Sequence, residues 1–494
     1  MVYVRPGRVS SRYLITLPLL WAFAAVAQDA GPAPAGGDSV EPLFQQQGIG
    51  ARPHPSRSGI GDHGRESPLE LWSGPNDSFL RMTVKVEMSY AGQDNAWFGQ
   101  DEANLGESSS SWWETGITPG AIGSFSFSQG DEFYGELNFV ATSTHDIDAA
   151  GSNVDYGDTS DIWADEAYIG WRSGTRWGDL GKDFLDVSFG RRQYVAGNGF
   201  LLFSQAGNGG KRGAYWLGPR MAADLAGIVQ VNYKELAIDL VYLEADDQDP
   251  SDDPNNNTGV GGFTLDYALG DFGGIGGGYY SVSSEGKPRD GMDIIDARFN
   301  ITPFRKFLPD SVFAPLTFEG EYVNQDNGDA LDAAGWYLSG QYAWKDVTWS
   351  PSLTYRYAAF EGGADSDGKS KNYDPLFYGF YDWGYWYQGE VLGEYVLSNS
   401  NLNSSMVRLS VDPVESIHVN LFYYDFELDD AGAFGVQETD FADEWNLTID
   451  WTATDFLMFS LVGAYVKPDD GAKQYTGGDD DWYYFMLYTS FSFK

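Results

Sequence analysis

The sequence predicts an all-β protein, a transmembrane antiparallel β-barrel of about 18 strands. Three observations predict it: segments that alternate apolar and polar residues with a period of two, connections sorted into short turns and long loops, and a composition of 31 Tyr, 31 Phe and 17 Trp with no Cys, which suits interfacial girdles. The stretch LRMTVKVEMSY shows the alternation. Leu80, Met82, Val84, Val86, Met88 and Tyr90 take one parity, and Arg81, Thr83, Lys85, Glu87 and Ser89 take the other. Successive side chains on a strand face opposite sides, so this row alone fits a soluble sandwich or a membrane barrel. The other elements decide between them.

At the N-terminus, Arg5, Arg8 and Arg12 precede an apolar stretch, Tyr13 to Ala24, and then Ala25-Val26-Ala27, the small-x-small pattern of a signal-peptidase site. Residues 1–27 therefore read as an export signal cleaved before Gln28. Residues 28–77 are rich in Gly, Pro and Ser (AGPAPAGG, GARPHPSRSGIG) and read as a flexible periplasmic segment, too short for a globular plug. The barrel occupies 78–494. No window approaches the run of roughly 20 apolar residues that a spanning helix needs, so residence in a membrane would be by strands. The predicted location is the outer membrane of a Gram-negative bacterium, among its lipid and lipopolysaccharide. A formal net charge of −42 disfavours nucleic acid as a partner.

Candidate strands follow in order: Phe79 to Ala91, Ile117 to Ser128, Glu132 to Thr142, Ile162 to Ser173, Asp183 to Tyr194, Asp224 to Tyr233, Glu235 to Glu244, Gly259 to Leu269 and Phe272 to Ser283. The second half adds Gly291 to Ile301, Phe313 to Gln325, Leu331 to Trp344, Asp346 to Phe360, Leu402 to Val411, Ser416 to Leu428, Asp440 to Thr452, Phe456 to Lys467 and Asp481 to Phe493. Connections after even-numbered strands are mostly tight, as with QGDE near Gln129, Lys234 alone, Gly270-Asp271, Lys345 alone and Asp412 to Glu415. Those after odd-numbered strands are mostly long and polar. That sorting belongs to a meander whose two ends face different compartments. On the strand ending at Trp344, Trp336 and Trp344 share the apolar face eight residues apart, about 26 Å along the strand, a spacing that brackets a hydrocarbon layer. Trp349, Leu353, Tyr355 and Tyr357 form a further apolar row, and Phe485, Leu487, Thr489, Phe491 and Phe493 share a face near the chain end.

A barrel of this size leaves an aqueous passage. Parity places Arg81, Lys85, Arg172, Arg192, Arg298, Arg356 and Arg408 inward, with Arg191 replacing Arg192 if a bulge shifts the register. Opposing them inward are Glu87, Glu166, Asp186, Asp239, Asp266, Asp296, Glu319, Glu321, Asp412, Glu444 and Asp450. The basic residues either form a ladder for carboxylates or pair with neighbouring acids. In FGRRQYVAGNGFLLF, the apolar run Phe200, Leu201, Leu202 and Phe203, followed by Lys211 and Arg212, predicts an external loop folded into the mouth as a constriction, with packing on other loops or lipid as the alternative. Acidic clusters (DDQDPSDD, EGGADSDG and Asp479 to Asp481) read as a solvated rim, with Ca²⁺ chelation or contact with lipopolysaccharide through divalent ions as the alternative.

FGRRQY leaving a strand, Tyr373-Asp374-Pro375-Leu376-Phe377 in a long loop, the turn at Asp412-Pro413 and Tyr424-Asp425-Phe426 together resemble the alginate export family of outer-membrane barrels. The resemblance implies an eighteen-stranded porin that passes an acidic polysaccharide, with periplasmic secretion partners and an inward arginine at Arg192. The residues themselves support a channel for hydrophilic solutes, with a general or cation-preferring porin and a barrel enzyme or surface-binding protein as alternatives. Catalysis is not expected: His54, His63, His145 and His418 have no partner at a recognisable spacing, and no cofactor or metal motif is present.

Overall fold

The computed structural model describes residues 69–106, 109–127, 130–246, 258–344, 346–379 and 387–493. The predicted export signal, most of the lead-in, Gln129, Lys345 and most of the DDQDPSDD run lie outside them.

Alternating side chains and right-handed twist close the chain into one antiparallel ring. A short β1 (Glu70–Ser73) precedes β2 (Phe79–Asp94), β3 (Ser109–Ser126), β4 (Glu132–His145), β5 (Thr159–Arg172), β6 (Leu185–Arg192), β7 (Ala223–Tyr233), β8 (Leu236–Glu244), β9 (Gly259–Ala268) and β10 (Gly273–Ser283). Then come β11 (Asp293–Ile301), β12 (Leu316–Asn327), β13 (Leu331–Ala343), β14 (Ser352–Phe360), β15 (Leu402–Val414), β16 (Ile417–Glu427), β17 (Asp440–Thr454), β18 (Leu457–Pro468) and β19 (Trp482–Phe493). Each strand from β2 onward pairs with the next, and β19 pairs with β2 from Tyr483↔Asp94 to Phe493↔Val84, so eighteen strands form a closed barrel with no free edge. All eighteen expected strands are present.

The boundaries differ in four informative places. β1 lies inside the segment read as flexible; it pairs with β2, and Glu70 reaches Arg81 at 3.6 Å. β3 begins at Ser109 rather than Ile117, which brings Glu114 onto the wall. β14 begins only at Ser352, so Trp349 is not on a strand: it sits in the preceding turn at φ 69°. β15 runs through Pro413 to Val414 across a register shift, where a residue without an N–H costs no ladder bond.

The outward rows are as the alternation requires. Leu80, Met82 and Met88 stand exposed on β2 while Thr83, Glu87 and Ser89 are buried inside. Large apolar side chains are exposed all round the ring, among them Ile169, Leu240, Ile295, Leu338, Leu409 and Leu487. A closed apolar belt of this extent can be solvated only by lipid, which makes the molecule an outer-membrane barrel. Trp336 and Trp344 both face outward, as expected for a girdle pair.

Candidate functional site

The interior is where the sequence reading needs most revision. The inward row does not line a hole along its whole height: at the loop end it packs against two long loops, residues 193–222 between β6 and β7 and residues 361–401 between β14 and β15. Phe200, Leu201, Leu202 and Phe203 are all 5% exposed or less. Phe200 lies 5.5 Å from Tyr337 of β13 and 5.7 Å from Phe360 of β14 (ring centroids), and also meets Tyr373 and Tyr387 of the second loop. β13 stands seven strands further round the ring than β6, so the first loop crosses the lumen. The expected constriction segment is thus placed inside the barrel, sheltered by wall aromatics rather than by water or lipid.

The two loops join along a short parallel contact. Leu202 bridges Phe377, the Phe203 N–H donates to the Phe377 carbonyl at 2.7 Å, the Phe377 N–H to the Leu201 carbonyl at 3.1 Å, and the Gly379 N–H to the Gly199 carbonyl at 3.0 Å. A Cβ on Gly379 would fall 2.3 Å from the Phe203 ring, so only glycine allows the crossing. The Tyr373-Asp374-Pro375-Leu376-Phe377 element lies in this contact: Tyr373 and Phe377 are buried, and Asp374 takes the Arg289 guanidinium.

Each predicted basic residue has a definite place. Arg172 donates to Asp186 at 2.9 Å and to Glu132, with its guanidinium 4.7 Å above the Tyr134 ring. Arg298 lies between Asp296 (2.6 Å) and Asp266 (2.7 Å). Lys85 pairs with Glu87 at 2.8 Å. Arg356 stacks on Tyr387 at 4.3 Å, Arg408 stands over Phe422 and Arg81 over Phe79. A bulge after Gly190 brings both arginines of FGRRQY into use: buried Arg192 stacks on Tyr168 at 4.5 Å, while Arg191 holds Asp224 and Asp246 at the root of the loop. Arg212 joins Arg191 on Asp246 at 2.8 Å, and Lys211 lies over Tyr156. Burial alone would raise the Asp246 carboxyl, but its bonds to Arg212 and Arg191 outweigh that and hold it below the usual carboxylate range.

Sequence reasoning missed three carboxylates that bond the loops, two from the wall and one from loop to loop. Glu114 belongs to the part of β3 read as loop. Asp165 has outward parity on β5, but a register shift turns it inward beside Glu166, where Asn138 caps the Glu166 N–H at 2.9 Å. Glu390 lies within the second loop and accepts the Trp216 indole N–H at 3.0 Å. Extending the alternation upstream of Ile117 finds Glu114 on the inward parity; nothing in the alternation marks the bulge.

Fold and filled lumen together define an outer-membrane β-barrel of the porin type. No family model and no curated relative matches the sequence. Solved structures share the fold: Pseudomonas aeruginosa OccK9 (OpdG), TM-score 0.52 at 11% identity over 84% of this chain and 98% of that one, and Acinetobacter baumannii OccAB1, TM-score 0.51 at 14% identity over 86% and 100%. Pseudomonas aeruginosa OccK8 (OprE) is similar at TM-score 0.51 and 11% identity, over 84% of this chain and 98% of that one.

Proposed function

We propose that the protein is an outer-membrane channel for small hydrophilic solutes, narrowed by its two inward loops and preferring cations. The observation that carries this reading is the crossing of the lumen by the Phe200 loop, which leaves an ion-paired polar wall at the turn end and a packed constriction at the loop end. The balance of that wall supports the sign. Arg172 and Arg298 each face two carboxylates, so at both places the inward acids outnumber the base they surround. A low-dielectric wall focuses this field on the passage. An acidic polysaccharide gains nothing from such a lining, so the charge balance does not favour it as the solute.

Reversal potential in a planar bilayer under a salt gradient tests the reading. A cation-selective sign is expected; an anion-selective sign overturns the preference, and absence of conductance overturns the channel itself.

A further inference from the structure

One arrangement occurs three times inside the barrel. Glu114 on β3 accepts the consecutive N–H groups of Trp216 (3.2 Å) and Leu217 (2.9 Å). Asp165 on the β5 bulge accepts those of Met221 and Ala222, both at 3.0 Å on one oxygen. Glu444 on β17 accepts those of Val391 (2.8 Å) and Leu392 (2.9 Å). In every case a carboxylate fixed on a rigid strand grips two successive amides of a lumen loop. Two adjacent N–H groups aimed at one anion form a small nest, and such charge-assisted bonds are about twice as strong as neutral ones.

The three carboxylates are all at least nine-tenths buried, and among the described residues none forms an ion pair with Lys or Arg. Their remaining partners are the Trp112 indole for Glu114 and the Asn446 amide for Glu444. The loop amides are therefore their shared hydrogen-bond donors, with the nearby Arg191 and Arg220 charges acting on Asp165 as well, and a loop that left would have to be replaced by water. Close approach is built in on the loop side too: Gly389 has φ +77°, and a Cβ there would lie 2.7 Å from the Glu444 carboxyl carbon.

We propose that Glu114, Asp165 and Glu444 are positioning residues that hold the two loops across the lumen, so that loop placement, and with it the width of the passage, is set by three wall carboxylates. The inference rests on the channel reading for its consequence but not for its geometry, and two readouts separate them. Loop release is read by trypsin at the buried Arg220–Met221 bond in the full chain in detergent micelles; passage width is read by single-channel recording.

Asp165→Asn should speed cleavage after Arg220 by at least about tenfold, and Glu444→Gln should raise open-channel occupancy to a similar extent. Gly389→Ala leaves the wall intact and pushes the second loop off Glu444, so it should act like Glu444→Gln even if that variant fails to fold. Glu87→Gln removes a lumen charge that holds no loop and should shift selectivity alone. Unchanged cleavage in Asp165→Asn together with unchanged recordings in Glu444→Gln and Gly389→Ala overturns the proposal. Faster cleavage in a protein that never conducts sustains the loop-holding role and overturns the channel.

Discussion

Glu390 is a carboxyl 4% exposed in the middle of a loop, and its surroundings oppose its charge. Burial pushes it well above the usual range; the Trp216 indole pulls the other way, and the nearby Glu444 adds to the rise. Half-buried Glu394 is raised by the same desolvation and by Glu390, Glu114 and Asp148. Folded loop thus binds more protons than unfolded loop, so the stability of its packing is fully present below the ordinary glutamate value of 4.5 and falls as pH rises through that value toward the raised one. Glu390→Gln keeps an oxygen for the indole and removes the titration. Hydrogen exchange across residues 387–397 should be slower than wild type at neutral pH and equal to it below about pH 4. A wild-type loop firmer than the variant at neutral pH contradicts the assignment.

At the scale of elements, strands were legible and loops were only half so. A strand in a barrel has one face in lipid and one in the lumen, so each of the eighteen leaves a period-two trace that survives in the sequence. Bulges leave no such trace, because one extra residue reverses the parity beyond it; simple alternation therefore puts Asp165 on the outward parity, while for Arg192 a bulge that brings in Arg191 is the stated alternative. The apolar run at Phe200 betrayed that its loop must be sheltered, but not that Tyr337, Phe360, Tyr373 and Tyr387 would do the sheltering, since all four come from a stretch far along the chain from Phe200. Their convergence gives a second test. Phe200→Ala removes the ring at the centre of this packing, a loss of about 3–5 kcal/mol for a buried aromatic. Single-channel recordings should then show larger or noisier openings, while the barrel band on an unboiled gel stays in place, because no ladder bond involves residue 200. Loss of that band would mean the plug supports the wall, contrary to the ring topology.

For the molecule as a whole, stability comes from closure. The chain has no Cys to staple it and carries a formal charge of −42, so the uninterrupted ladder and the lipid-facing belt, with cross-strand ion pairs such as Arg172 to Glu132 and Asp186, hold eighteen strands in register. Closure depends on β19, which pairs with β18 on one side and with β2 on the other. Its outward row, Tyr483, Phe485 and Leu487, completes the apolar belt at the seam, and its inward Trp482 and Tyr484 stack near Tyr395 of the second loop at ring distances of 6.0 Å. Deleting residues 482–493 leaves β18 and β2 as two open edges whose N–H and C=O groups cannot be satisfied in hydrocarbon. Such a chain should fail to give a compact band on an unboiled gel and should aggregate on detergent refolding. Replacing residues 364–398 by a short Gly-Ser linker removes more residues but no barrel ladder, so that protein should refold with the compact band and conduct more than wild type. Were the loop-shortened chain to collapse and the strand-deleted chain to refold, the barrel would owe its stability to the plug, and the order of dependence argued from the ring would be reversed.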